Sequence, residues 1–262
     1  MSKDAIIISK KKTGAKPCPV DICSDHTGKM EGMQSLSTAC STNPFCLRNC
    51  SIKGSICEHC YAQTMSKMYK ALDAKLEHNT SVLTTRLLSP AEIPVINCQV
   101  FRFESFGDLH NETHLKNYIA IANANPRVRF TLWSKNYGVV LNYFKTHKCP
   151  DNFTMIISSM FINRRMSLAP FKATGAFKPG QLKVFTVYNY EYLTTHPGAV
   201  DINCGSRWCL GCRACYDENE IEEINEILKN EQSKTEKFIK RTSPEFSKEC
   251  EELAEELDLV TL

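Results

Sequence analysis

Fourteen cysteines stand in a chain of 262 residues, and their spacing is its first feature with chemical content. Four fall at Cys46, Cys50, Cys57 and Cys60, and four more at Cys204, Cys209, Cys212 and Cys215, with Cys23 and Cys40 near the first group. Cys98, Cys149 and Cys250 stand alone, and a lone cysteine is usually a small buried hydrophobe. In a small secreted domain such density would read as a disulfide framework. This chain is long, and its opening apolar run, Ala5 to Ile8, is too short for the core of a signal peptide. The expected compartment is the cytoplasm, where thiols stay reduced and clustered ones bind metal.

Thiolates are soft donors, suited to zinc, copper(I) and iron–sulfur clusters. A Cys-x2-Cys turn such as Cys57 to Cys60 lets two sulfurs reach one centre while backbone N–H groups remain free to hydrogen-bond them. The later block contains two overlapping steps of this kind, Cys209 to Cys212 and Cys212 to Cys215, with Cys204 just before. That spacing resembles ferredoxin-type ligation more than zinc fingers, whose two cysteine pairs usually stand about a dozen or more residues apart. Two iron–sulfur centres are the expected cofactors, and zinc is the alternative. Trp208 is expected to shield the second centre.

Elements must hold these thiols in place, and the hydrophobic pattern names them. Residues 1–32, rich in Lys, Gly, Pro and Asp, read as an irregular basic arm. Cys18, Cys23 and His26 within it have the look of half a zinc site. Met33 to Ala39 reads as a short strand, and Tyr61 to Leu88 as a helix with Met65, Met68, Leu72 and Leu76 on one stripe. Strands are expected at Val95 to Phe103, Val128 to Trp133, Phe153 to Ser158 and Leu182 to Tyr188, with a last short one at Ala199 to Asn203. Helices are expected at Glu112 to Asn123 and Val139 to Lys145. From Asp217 two acidic helices should follow, separated near Pro244, with Ile221, Ile224, Ile227 and Leu228 on one stripe. Strands alternating with helices predict an α/β fold with a parallel sheet, open or curled into part of a barrel. Ligands in such folds sit at the carboxyl ends of the strands, and each strand here ends in polar residues.

The net charge of +3 hides an asymmetry. From Asp217 onward fifteen acidic residues face six basic ones, which leaves 26 basic and 14 acidic residues before it. A basic body can attract nucleic acid or an acidic partner. No apolar run approaches the ~18 residues of a membrane span, so no membrane partner is expected.

With the motifs set side by side, the chain resembles a known family. Cys50-x6-Cys57-x2-Cys60-Tyr61-Ala62, the Gly107-Asp108-Leu109 turn, the run from Phe130 to Asn136 and the late cysteine block are similar to the phage gene product 88 family, itself similar to radical S-adenosylmethionine (SAM) enzymes. The likeness spans roughly residues 35–216. It implies a partial (β/α)6 barrel of the radical SAM type over 33–203, followed by an auxiliary cluster segment and acidic helices over 204–262. It also implies a [4Fe–4S] cluster on Cys50, Cys57 and Cys60, whose vacant iron takes SAM and, reduced by a donor such as flavodoxin or ferredoxin, cleaves it to start radical chemistry on an unknown substrate. Cys46 is the awkward fourth thiol: if it also ligates, the cluster is closed. Cys204, Cys209, Cys212 and Cys215 would saturate an auxiliary cluster.

The loop between Cys50 and Cys57 is longer than in the commonest radical SAM motif, and His59 takes the place of the aromatic residue before the last cysteine. His59 and Tyr61 join the implied cofactor contacts. Glu104, Ser105, Gly107 and Asp108 stand where the cofactor's amino group would sit, and Ser134, Lys135, Ser158 and Ser159 where its carboxylate or ribose would. His110 and His114, spaced i, i+4, lack a third ligand and read as surface histidines. Two other readings stay open. One is a zinc-binding nucleic-acid module that uses the basic body for phosphates. The other is an iron–sulfur protein without SAM turnover.

Overall fold

The structure, a computed structural model, describes residues 18–205 and 208–228. Six strands, β1 (Gln34–Leu36), β2 (Val100–Phe103), β3 (Arg129–Ser134), β4 (Phe153–Ser158), β5 (Leu182–Tyr188) and β6 (Glu223–Ile227), form one sheet in the order β1-β2-β3-β4-β5-β6. Every neighbouring pair is parallel. Each crossover therefore steps in the same direction, and right-handed crossovers of that kind lay their helices on one face. The helices are α1 (Pro44–Cys50), α2 (Tyr61–Met68), α3 (Lys70–Thr85), α4 (Glu112–Ala124), α5 (Tyr137–Phe144) and the short α6 (Ala169–Lys172), α7 (Tyr190–Thr195) and α8 (Cys209–Cys212).

Alternation along the strands sends Phe101, Phe103, Phe130, Leu132, Phe153 and Met155 to the helix side. There they join Leu115, Tyr118 and Ile121 of α4 and Val140 and Phe144 of α5 in the main core. Phe103 is its centre, stacked on Tyr118 at 4.1 Å and on Phe130 at 5.2 Å between ring centroids. Burying each such ring stabilises the fold by about 1.5–3 kcal/mol. Helix starts are fixed locally. Asn43 accepts a hydrogen bond from the Phe45 N–H with Pro44 at the first position of α1, and Asn111 accepts from the His114 N–H to open α4.

The opposite face carries Ser35, Arg102, Thr131, Trp133, Lys183 and Glu226. It is covered by the chain itself. Thr131 Oγ1 donates to the Cys215 carbonyl at 3.2 Å, and Lys183 Nζ to the Ala214 carbonyl at 2.8 Å. Lys29, on the arm before β1, pairs with Glu226 on β6. The arm before β1 thus crosses this face and meets the last strand, β6.

Several expectations are met and some are corrected. The strands at 153–158 and 182–188 stand as read, and the all-parallel α/β class holds. The sixth strand is Glu223–Ile227, a segment expected to be helical, and not Ala199 to Asn203. Ile224 and Ile227, three residues apart, suggest a helical stripe, but in the strand they point to opposite faces, Ile227 against Tyr188 and Leu193. Ala199 to Asn203 instead runs beside β6, where Asn203 Oδ1 accepts the Asn225 N–H and only Cys204 forms a bridge, to Glu226. The long helix from Tyr61 divides at Tyr69, leaving Met68 65% exposed. His114 is fully buried, not on the surface, because α4 turns it under the β2 edge. The expected helices beyond residue 228 lie outside the described residues, as do residues 1–17 and Cys250.

Candidate functional site

The first cysteine block lies at the carboxyl edge of the sheet. It follows β1, and its loop reaches across to the exit of β4, where the Ile56 N–H donates to the Met160 carbonyl at 2.9 Å and Ser55 bridges Phe161. Helix α1 buries Cys46 and ends at Cys50. Ser55 caps a tight turn over Ile56–His59, and Cys60 stands at the N-terminus of α2. The sequence folds this way because Asn43-Pro44 starts one helix while Gly54, at φ +77°, reverses the chain before the next.

Five thiols converge here. The Cys40 S–H group hydrogen-bonds the Cys60 sulfur and, helped by the N–H groups of Gln63 and Ala62, draws Cys60 down to about 6 against the cost of burial. That contact, with burial, holds Cys40 strongly in its thiol form. Burial, then the charges of Asp108 and Glu104, pushes Cys46 well up, and burial with Cys60 beside it raises Cys50 to about 11. Gln63 Nε2 donates to Cys50 Sγ at 3.0 Å. Burial also raises Cys57, against the pull of Lys135. Burial acts to lower Lys135 itself, but Cys57 and Asp108, then Cys46 and Cys60, outweigh it and raise that ammonium. The arrangement is one cation among thiols, with one thiolate preformed at a helix start.

The strand-edge residues are mostly engaged with one another. Asp108 accepts from Ser134 Oγ at 2.5 Å and from the N–H groups of Lys135 and Leu109 at 2.9 and 2.7 Å. Ser105 Oγ lies 3.0 and 2.9 Å from Ser35 and Ser37, and its carbonyl accepts the Tyr61 hydroxyl. Ser158 presents its carbonyl to Tyr137, and Ser159 Oγ lies 2.9 Å from Thr186 Oγ1. Glu104 turns inward at φ +55°, where Tyr118 and Thr38 donate to it at 2.5 and 3.0 Å, and burial raises its carboxyl to about 8. His114 Nε2 is 3.3 Å from that carboxylate but off line for a hydrogen bond. Burial holds the imidazole neutral, so the contact is polar and not ionic. Gly107, at φ +75°, packs so closely that a Cβ would stand 2.4 Å from the Thr38 carbonyl oxygen. His59 is exposed.

The family model for gene product 88 matches residues 9–176, more than half of the chain. The chain belongs to the gene product 88 family. No curated protein and no solved structure matches it. The span shared with the family holds the first cysteine block and the edges of β1 to β4. It stops before β5 and the late cysteines, which were expected within the likeness, and before β6.

That second block covers the face opposite the main core, nearer the amino ends of the strands. Cys204 leaves the edge of β6, its N–H bonded to the Asn225 carbonyl at 3.0 Å. Helix α8 then carries Cys209 and Cys212, and Arg213 at φ +53° turns the chain to Cys215 and the buried Tyr216. The four thiols lie within each other's electrostatic reach. Burial raises Cys204 to about 11, Cys215 to about 12 and Cys209 in the same direction, while Lys29 opposes this at Cys204 and Arg102 does so at Cys209 and Cys215. Trp208 is 53% exposed, its indole N–H donating to the Glu31 carbonyl and its ring against Gly211.

Among the described residues no three His, Cys, Asp or Glu side chains already close on one point as ligands of a single ion. His26 Nε2 lies 2.7 Å from Ser35 Oγ, and Cys18 turns to the Val20 carbonyl, so the arm assembles no zinc site with Cys23. In type the donors suit a thiolate-bound centre, with backbone N–H groups and Gln63 supplying hydrogen bonds to the sulfurs. Spacing alone missed two residues. Cys40 lies six residues before the block, and Arg102 is a lone cation in an apolar strand. Alternation, which puts Arg102 on the face opposite Phe101 and Phe103, was the signal available for the second.

Proposed function

We propose that this protein is an iron–sulfur enzyme of the radical SAM type, with a partial barrel, an open cluster on Cys50, Cys57 and Cys60, and a second cluster on Cys204, Cys209, Cys212 and Cys215. The observation that carries it is the convergence of thiols at the carboxyl edge of a sequentially ordered parallel sheet, around the start of α2. A [4Fe–4S] centre with one open iron would supply the electron that cleaves bound SAM and the radical that follows.

The chain's own residues do the rest. The N–H groups of Ala62 and Gln63 and the Cys40 thiol hydrogen-bond Cys60, which keeps it as a thiolate near neutral pH. Lys135 balances the charge of several thiolates in one place. The loop from Ser51 to His59 crosses the strand edge to the exit of β4. Asp108, locked by Ser134 and two backbone N–H groups, holds the floor. Glu104 is spent on Tyr118 and Thr38, and Ser105 and the Tyr61 hydroxyl on Ser35, Ser37 and each other, so cofactor contacts fall to Lys135 and His59. That inward turn favours a second reading, an iron–sulfur protein that transfers electrons without SAM turnover.

Anaerobic purification tests both. The reading expects brown protein with about eight irons per chain and, after reduction, 5′-deoxyadenosine from SAM. Iron without that product selects the second reading, and stoichiometric zinc in colourless protein would sink both.

A further inference from the structure

Between the two cysteine blocks, the sheet face opposite the main core carries, among the described residues, a cation with no oxygen partner, Arg102. The Arg102 guanidinium carbon lies 4.0 Å from the Trp133 ring centroid, Nη1 lies 3.5 Å from Met30 Sδ, and Nε is buried with no partner. Among the described residues no Asp or Glu pairs with it. Its neighbours are instead sulfur and aromatic. Trp133 meets Tyr216 edge-on at 5.9 Å, Tyr216 follows Cys215, and Cys209 packs in the same cluster with Met30 and Met33. The charge of Arg102 is felt at Cys209, Cys215 and Tyr216 of the second block and at Tyr61 beside the first. The other charges on this face are engaged: Lys29 with Glu226, and Lys183 with the Ala214 carbonyl and Asn219.

A cation with a buried, unpaired N–H is costly unless negative charge arrives. Four neutral thiols bring none. Four thiolates around a metal centre bring a net anion, at the place where this guanidinium has no carboxylate. We propose that Arg102 is the counter-charge of a thiolate-bound iron–sulfur centre at the second block and sets the reduction potential of that centre. The proposal rests on the metal reading of that block. A fixed cation beside a cluster stabilises its reduced, more negative state, so it raises the potential. Stacking on Trp133 holds the guanidinium in place and keeps water from screening it.

The test is an EPR-monitored redox titration of the full chain, reconstituted with iron and sulfide without oxygen, for wild type, Arg102→Met, Arg102→Gln and Arg102→Lys. Both neutral variants should keep their iron and show one centre with a midpoint lowered enough to change its reduced fraction tenfold, about 59 mV for one electron. Arg102→Lys should stay near wild type. Iron lost from the second block in both neutral variants but kept with lysine supports the same assignment through affinity. An unchanged midpoint in an iron-loaded neutral variant overturns it, as does an equal fall with lysine or loss of iron in all three variants. Wild type that binds no iron would instead remove the metal reading beneath it.

Discussion

The two cysteine blocks have nearly the same composition and very different surroundings. The first stands at the carboxyl edge, gathers five thiols, and one of them, Cys60, is drawn down to about 6 at the start of α2. The second lies over the sheet face opposite the main core, gathers four, and burial raises Cys204, Cys209 and Cys215. The first has a lysine among its sulfurs and polar strand ends around it. The second has an arginine clamped on tryptophan, with its backbone bonded to strand side chains. A site that must admit a small molecule needs open space, polar contacts and a reactive donor. A site that only holds a centre needs enclosure and fixed charge. The lowered thiol and the polar strand ends lean the first block toward the former and the fixed arginine leans the second toward the latter, which under the proposed function assigns chemistry to the first and support to the second.

Removing thiols breaks this comparison most directly. Cys57→Ala or Cys60→Ala should abolish reductive SAM cleavage and about half of the iron, with the remainder held by the second block. Cys212→Ala should remove the other half and leave the fold near wild type by circular dichroism. If Cys57→Ala leaves all of the iron in place, the division of labour is wrong. Cys46→Ala should spare SAM cleavage, since Cys46 is the most deeply set of the four spaced thiols and its charged form is opposed by burial and by Asp108. Loss of the first centre in that variant would mean a closed cluster and no enzyme.

A smaller effect separates the floors beneath the two blocks. The first is built over an irregular turn that depends on Gly107, whereas the second sits on regular strands. Gly107→Ala places a side chain at φ +75° and inside backbone contact distance of Thr38. It should cost about 3 kcal/mol in denaturant melts and loosen the Asp108 contacts. Gly205→Ala, at φ +144° with open space around its Cβ, should cost less. Equal losses would show that the two floors are alike.

Much of this architecture is legible in the sequence, because β3, β4 and β5 are apolar runs that end in polar turns and the thiol spacings are short. The strand β6 is not legible. Glu-Ile-Asn-Glu-Ile has its apolar residues three apart, as a helix would, and only the sheet shows that they serve opposite faces. The cysteine blocks can be read but not their fifth member, since Cys40 arrives from the β1 exit through the fold and not through spacing. Glu104 looks like an edge ligand until a positive φ turns it under the edge, and His114 looks exposed until α4 packs over it. Each miss comes from one cause, a side chain whose direction is set by tertiary contacts and not by local pattern.

That buried pair gives the smallest prediction. Glu104 has its carboxyl raised to about 8 by burial, so the folded state holds its proton more tightly than the unfolded chain does. Its contribution to stability is complete below the ordinary carboxyl range and is lost as pH rises toward 8, by at most about 1.4 kcal/mol per pH unit. His114 acts at the other side. Its imidazole is held below the ordinary 6.5, so its neutral form loses stability as pH falls past that value. Between pH 6.5 and 8 the loss from the carboxyl is opposed by Cys60, drawn down to about 6, whose thiolate gains stability as pH rises. The carboxyl is therefore read from the difference in slope between wild type and Glu104→Gln in thermal melts. Glu104→Gln keeps an acceptor for Tyr118 and Thr38 and should make stability rise more steeply with pH than in wild type, while leaving the second block's iron untouched. A slope equal to that of wild type would show that the carboxyl does not titrate in this window, and it would then be a passive part of the core.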